Sequence, residues 1–257
     1  MDFALTGRTA IVLGGTGGLG AATARGLAAE GANVVVVGRD AERAKQVAAS
    51  CASAVPVVAD LLTPDAPARI VEAAEQAFGQ VDILVLNGGG PKPSTAAALT
   101  PEAVGDAVRL LVRPHVALVS ALLPGMTERG WGRIIAVGSS GVQQPLPNLS
   151  TSNLGRAALA GYLKTLAAEV AGSGVTVNMV LPGRIDTDRV AQLDQAAAQR
   201  TGTTPQQARA GSEAGIPMGR YGTPEEFAAV AVFLAGRPAA YVTGEQIRCD
   251  GGLVRHH

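Results

Sequence analysis

Apolar residues in this chain fall into two patterns. The first is a set of short, nearly unbroken runs bounded by Gly, Asp or Pro: Thr9–Leu13, Asn33–Val37, Val55–Ala59, Ile83–Leu86, Arg133–Val137, Val175–Val180 and Glu245–Cys249. Such runs, without polar alternation, predict strands buried on both faces of a parallel sheet. The second is a set of Ala-rich stretches that predict helices near residues 18–30, 40–50, 66–78, 101–129, 152–171 and 224–235. The last opens on Thr223-Pro224-Glu225-Glu226, an N-cap residue, a proline at the first helical position and acids in the first turn. The alternation predicts one doubly wound α/β domain over residues 1–257, with a parallel sheet of about seven strands and helices on both faces. No internal repeat, low-complexity linker or domain boundary interrupts it. The least regular stretch, 184–222, follows a strand and ends before a helix, where a mobile substrate lid would lie.

Composition narrows the function classes. The chain has 257 residues, enough for one large core. Its 21 basic and 21 acidic residues balance, so no electrostatic case exists for nucleic acid or an anionic membrane. Two cysteines, Cys51 and Cys249, make a disulfide framework unexpected and fit a reducing cytoplasm. The start, MDFALTGR, lacks the charged and apolar regions of a signal peptide. No uninterrupted apolar run approaches the roughly 18–20 residues of a membrane span. The terminal His256-His257 pair is set aside as a tag remnant or a native end. No His/Cys/Asp/Glu cluster has metal-ligand spacing.

Chemistry enters at the first strand. Gly14-Gly15-Thr16-Gly17-Gly18-Leu19-Gly20 follows Thr9–Leu13 and precedes a helix. Glycines allow a tight turn there and let backbone N–H groups approach a pyrophosphate at the helix N-terminus. Two registers fit: Gly15-x-Gly17-x-x-Gly20, the common Rossmann spacing, and Gly14-x-x-x-Gly18-x-Gly20. The context, strand then loop then helix, predicts a dinucleotide site rather than an empty turn. About twenty residues on, an acid would normally hold the adenosine ribose. Here the second strand ends in Gly38-Arg39. No acid repels a 2′-phosphate, and Arg39 could pair with one. This favours NADP(H) over NAD(H), against a reading of Arg39 as a solvated charge beside the helix-capping Asp40.

With these motifs in view, the chain resembles a short-chain dehydrogenase/reductase over nearly its whole length. Asp60, with Leu61 beside it, matches an adenine-contacting acid. Asn87-Gly88-Gly89 resembles the Asn-Asn-Ala-Gly segment, with Leu86 in place of the first Asn. Asn178, Pro182-Gly183, Ile185 and Thr187 resemble the segment that contacts the nicotinamide. Arg220-x-Gly222-x-Pro224-Glu225-Glu226 and Thr243-Gly244 with Asp250-Gly251-Gly252 resemble the C-terminal framework.

The resemblance implies a catalytic Ser ending the fifth strand, a Tyr thirteen residues later and a Lys four beyond that. Ser139 fits the first role, but the count reaches Ser152 and then Arg156. An Asn expected on the preceding long helix falls at Leu111. Residues 152 and 156 share a helix face, so the spacing is kept and the chemistry altered. A serine is a poorer acid than a phenol, and an arginine cannot relay a proton. Arg156 could still bind ribose hydroxyls and steady a developing alkoxide. Alternatives stay open: Ser152 as part of an N-cap cluster with Ser150 and Thr151, His115 as the missing proton donor or a surface or interface residue, Tyr221 as a substrate contact beside the lid, Tyr162 as core or interface, and Gln143 and Gln144 at the pocket rim.

The expected function is therefore an NADP(H)-binding oxidoreductase acting on a carbonyl/alcohol pair of a small molecule, for example a 3-oxoacyl or other ketone. Two other classes compete: non-redox chemistry in the same pocket (dehydration, cyclisation or isomerisation), and a catalytically silent nucleotide-binding subunit. The resemblance also implies a homodimer or homotetramer built through the apolar helices 101–129 and 152–171.

Overall fold

All seven apolar runs become strands in the computed structural model, which describes residues 2–256, so that of the terminal pair His257 lies outside the described residues. They are β1 (Thr9–Val12), β2 (Asn33–Gly38), β3 (Ala54–Val58), β4 (Ile83–Leu86), β5 (Gly132–Val137), β6 (Val175–Pro182) and β7 (Gln246–Cys249). Every pairing is parallel, in the order β3-β2-β1-β4-β5-β6-β7. Central strands such as β4 are buried along their whole length, which is why they read as continuous apolar runs. β3 carries Pro56 and lies at the sheet edge, where a missing N–H donor is tolerated. The order reverses between β1 and β4, and a crevice opens there at the strands' carboxyl ends.

Helices cover both faces. α1 (Gly18–Ala29), α2 (Ala41–Ala49) and α9 (Pro224–Ala235) pack on one, with Leu27, Val47 and Phe227 in the core. α3 (Ala66–Phe78), α5 (Arg113–Glu128) and α6 (Ser150–Val170) pack on the other through Ile70, Leu118 and Leu163. Each such side chain, once buried, contributes about 1.5–3 kcal/mol. α4 (Pro101–Leu111) precedes α5 and packs beside α6.

Two expectations are corrected. The single helix over 101–129 is two helices, broken at Val112 (φ −122°, ψ −58°). Pro114 near the start of α5 lacks the N–H that would continue the ladder. The stretch 184–222 is not irregular. It holds α7 (Asp188–Thr201), capped by Thr187, and α8 (Pro205–Ala214), opened by a capping box in which Thr204 and Gln207 exchange side-chain and backbone bonds. Pro101–Glu128 spans 28 residues and contains an 18-residue window with a mean hydropathy of 1.4, apolar enough by composition alone for a membrane span. It is nonetheless two helices, and Leu111, Leu118, Leu122 and Met126 from it are buried in the protein.

Candidate active site

A cleft of about 1070 Å³ lies at the carboxyl ends of the central strands. The glycine loop forms one wall. Gly14 adopts a left-handed conformation (φ +58°), and a Cβ on Gly20 would overlap the Gly14 carbonyl. Only glycine permits both the turn and the close approach. Gly17 is the N-cap of α1 and no side chain caps that helix, so its first-turn amides are left for an anion. A Cβ on Gly17 would meet nothing within 4 Å, so the loop is open to a ligand at that point. These features fit a dinucleotide pyrophosphate.

At the end of β2, Gly38 is packed against Thr16. A Cβ there would overlap the Thr16 methyl and stand 2.9 Å from its Oγ1. Arg39 is exposed and makes no hydrogen bond or ion pair among the described residues. Arg43, one helical turn on, lines the cleft instead. Its guanidinium lies 3.9 Å from Asp188 at the start of α7. The absence of a carboxylate at residue 38 and the presence of two arginines fit a 2′-phosphate.

Ser139, Ser152 and Arg156 come together on the cleft lining from β5 and α6. Ser139 Oγ accepts from the Gly141 N–H at 3.1 Å, which leaves its own O–H free to donate elsewhere. Arg156 Nε donates to Ser152 Oγ at 3.3 Å, and Arg156 Nη1 donates to the Val137 carbonyl at 2.7 Å. The guanidinium is thus anchored to the end of β5 and polarises Ser152. Burial, and then repulsion from Arg189, push Arg156 down to about 10, so it stays a cation at neutral pH. α6 begins at Ser150, with Leu149 as its N-cap. Ser152 is therefore not the cap. Ser150 and Thr151 instead donate to the carbonyls of Ser94 and Lys92, tying α6 to the loop after β4.

His115 is buried, one turn beyond the break after α4. Its Nδ1 is 2.8 Å from the Leu111 carbonyl. A carbonyl only accepts, so Nδ1 carries the proton and Nε2 of the neutral ring is a lone pair. Nε2 has no hydrogen-bond partner and sits behind Asn87 and Gly88 rather than on the cleft lining. Burial is the main cause that lowers its pKa, with Arg156 adding to it.

The structure places the other expected residues unevenly. Gly14, Thr16, Gly17, Gly18, Leu19, Asn87, Gly88, Gly89, Pro182, Gly183, Ile185 and Thr187 line the cleft. Among the described residues, Gly20, Arg39, Asp60 and Leu61 stand outside that lining. Asp60 is exposed and accepts from the Leu62 N–H at 3.0 Å. Asn178 is structural: it bonds Val242 and Glu245, joining β6 to the turn before β7. The Tyr221 hydroxyl donates to buried Asp194 at 3.0 Å, so it does not face a substrate. Gln143 bonds Gln246 at 3.3 Å, and neither it nor Gln144 lines the cleft.

Sequence reasoning missed four arginines on the lining: Arg43, Arg184, Arg189 and Arg200. Three of them sit in or beside α7, inside the stretch expected to be irregular. The Thr187 cap and the Thr204-Pro205-Gln206-Gln207 box were the signals that would have found these helices.

Comparison with known proteins agrees with this geometry. A family model described as enoyl-(acyl carrier protein) reductase matches residues 14–254. The chain is 34% identical over 252 residues to the 3-oxoacyl-[acyl-carrier-protein] reductase FabG of Vibrio cholerae, covering 97% of this chain and 98% of that one. It is 34% identical to D-beta-hydroxybutyrate dehydrogenase of Cupriavidus necator, with 97% and 99% covered. The structure of L-sorbose reductase from Gluconobacter frateurii complexed with NADPH and L-sorbose superposes with a TM-score of 0.94 at 33% identity, covering 100% of both chains.

Proposed function

Because this chain belongs to the short-chain dehydrogenase/reductase family, we propose that its cleft interconverts a ketone and its alcohol with Ser139, Ser152 and Arg156 as the reacting machinery, Ser152 and Arg156 standing where the family places a tyrosine and a lysine. The chain is an NADP(H)-dependent oxidoreductase of that family. The observation that carries the proposal is the Arg156–Ser152 bond of 3.3 Å in the same cleft as Ser139. The relatives named above act on ketone or hydroxyl groups, which favours a carbonyl over a carbon–carbon double bond.

NADP(H), when bound, supplies or takes up a hydride at the substrate carbon. The amides of the glycine loop at α1 would hold its pyrophosphate, Arg39 and Arg43 its 2′-phosphate, and Asp60 with Leu61 its adenine. Asn87–Gly89 and Pro182–Thr187 would line the rest, and Arg156 would also meet the nicotinamide ribose. Ser139 donates its free O–H to the carbonyl oxygen. Ser152 does the same, and the charged Nε–H that it accepts makes it a stronger donor. Arg156 places a fixed cation beside the oxygen as negative charge develops there. The alkoxide takes the Ser152 proton, and the serine is reprotonated by water. Arg156 keeps its proton throughout.

Copies of the chain would pair as a dimer or tetramer through α4, α5 and α6. Only 39% of the most apolar window in Pro101–Glu128 is buried within one chain, leaving apolar area for a partner. The free thiols Cys51 and Cys249 suit a reducing cytoplasm.

The test is isotope transfer. NADPH deuterated at C4 is incubated with a ketone panel, and the product alcohol is examined for label. Label at the carbinol carbon is expected, with Ser139→Ala lowering kcat by about 10²–10³. Tight NADPH binding with no labelled product and no NADPH consumption would refute hydride transfer and favour non-redox use of the pocket.

A further inference from the structure

We propose that the substrate is a short oxo acid whose carboxylate is held between Arg189 and the free edge of Arg156. This rests on the carbonyl reading above and names its substrate class.

The chain as a whole is neutral, but the cleft is not. Five arginines line it (Arg43, Arg156, Arg184, Arg189 and Arg200) against one acid, Asp188. Two have carboxylate partners: Arg184 lies 3.5 Å from Asp194, and Arg43 lies 3.9 Å from Asp188. Arg200 is exposed in the last turn of α7, where a cation complements the helix dipole. Arg156 and Arg189 remain, and neither has an ion pair among the described residues.

Both line the same cleft and both have donors to spare for an anion. Arg156 spends two of its five N–H donors on Ser152 and Val137, leaving three. Arg189 reaches from the first turn of α7 to the loop after β4, where Nη2 donates to the Pro91 carbonyl at 3.4 Å. Arg189 and Pro91 both line the cleft that holds Arg156. The two cations are near enough for Arg189 to depress Arg156. Arg156 is half-buried and Arg189 exposed, and two cations lining one cleft repel unless an anion lies between them. The cofactor pyrophosphate belongs to the glycine loop at α1, and Arg43 stands at the 2′-phosphate end. The Arg156 side holds Ser139 and Ser152, the groups that address the carbonyl. A carboxylate one or two carbons from that carbonyl would take the fork donors that remain.

The experiment compares 3-oxobutanoate and 2-oxobutanoate with their methyl esters, in wild type, Arg189→Gln and Arg189→Lys. The acids are expected to exceed the esters in kcat/KM by about 30-fold. Arg189→Gln should collapse that ratio towards 1, and Arg189→Lys should restore part of it. The Kd for NADPH, measured on the same proteins, should change far less than the ratio. Equal use of acid and ester by wild type would overturn the proposal. So would an Arg189→Gln variant that weakens NADPH and leaves the ratio intact, since Arg189 would then serve the cofactor. If no ketone is labelled from deuterated NADPH, the hydride-transfer reading fails. The anion site is then decided by titrating the acids into the NADP⁺-loaded protein, where binding lost in Arg189→Gln supports it and binding indifferent to that change refutes it.

Discussion

Replacing Gly38 by Asp would bring an acid to the end of β2 and should shift preference towards NADH, but not by itself. Thr16 fills the space. A new Cβ at residue 38 would overlap the Thr16 methyl and lie 2.9 Å from its Oγ1 and 3.1 Å from its Cβ. Rotating Thr16 exchanges one branch for the other and leaves its Cβ in place. Overpacking of this kind costs about 1–3 kcal/mol. Thr16→Ala removes both offending branches. The expected double-mutant cycle for Thr16→Ala and Gly38→Asp therefore has a coupling of about 1–2 kcal/mol in favour of the pair. In the paired variant a carboxylate meets the 2′-phosphate, and about 2 kcal/mol of repulsion lowers NADPH affinity about 30-fold. NADH gains a hydrogen bond of about 1 kcal/mol, or about 5-fold. Urea unfolding reports the coupling, and titration with NADPH and NADH, followed by nicotinamide fluorescence, reports the switch. A Gly38→Asp single variant that is as stable as wild type and already prefers NADH would refute the packing argument.

Three further outcomes follow from the site. Ser152→Tyr combined with Arg156→Lys should raise the rate of simple ketone reduction by about 10–100-fold, read as NADPH consumption, because a phenol and a lysine would stand on the face that now holds the weaker pair; no gain would mean that the cofactor is not presented as proposed. Arg156→Met should leave stability within about 1 kcal/mol of wild type while lowering activity about 10³-fold. Burial, and then repulsion from Arg189, push Arg156 down to about 10, a penalty that its bonds to Val137 and Ser152 offset, so a loss well above about 1 kcal/mol in denaturation would sink that balance. His115 has its pKa lowered in the fold, chiefly by burial. The unfolded chain then binds the proton more readily, so stability is lost as pH falls below the ordinary histidine value of about 6.5. His115→Gln should flatten the stability slope between about pH 5 and 6.5, which is at most ~1.4 kcal/mol per pH unit for one proton; an unchanged slope would show that His115 is not its source.

Much of the site was legible because its signals are local. The glycine loop, the runs that became β1 to β7 and the Thr223 cap each declare themselves within a few residues. Ser152 and Arg156, four apart on a helix, share a face by spacing alone, but the roles proposed for them and for Ser139 come from the family resemblance. The break at Val112 was less visible, although Pro114 is its local cause.

The sequence by itself determined a parallel α/β domain and a dinucleotide loop, because periodicity, caps and motif spacing act between near neighbours. Only the tertiary structure decided where side chains far apart in sequence meet. It turned Tyr221 inward onto Asp194 and made Asn178 a strut. It brought Arg189 across to Pro91, 98 residues away, above a cleft that also holds Arg156. Coulomb energy depends on separation in space and on burial. The uncompensated charge of this cleft is therefore absent from a composition that balances to zero and exists only once the chain is folded.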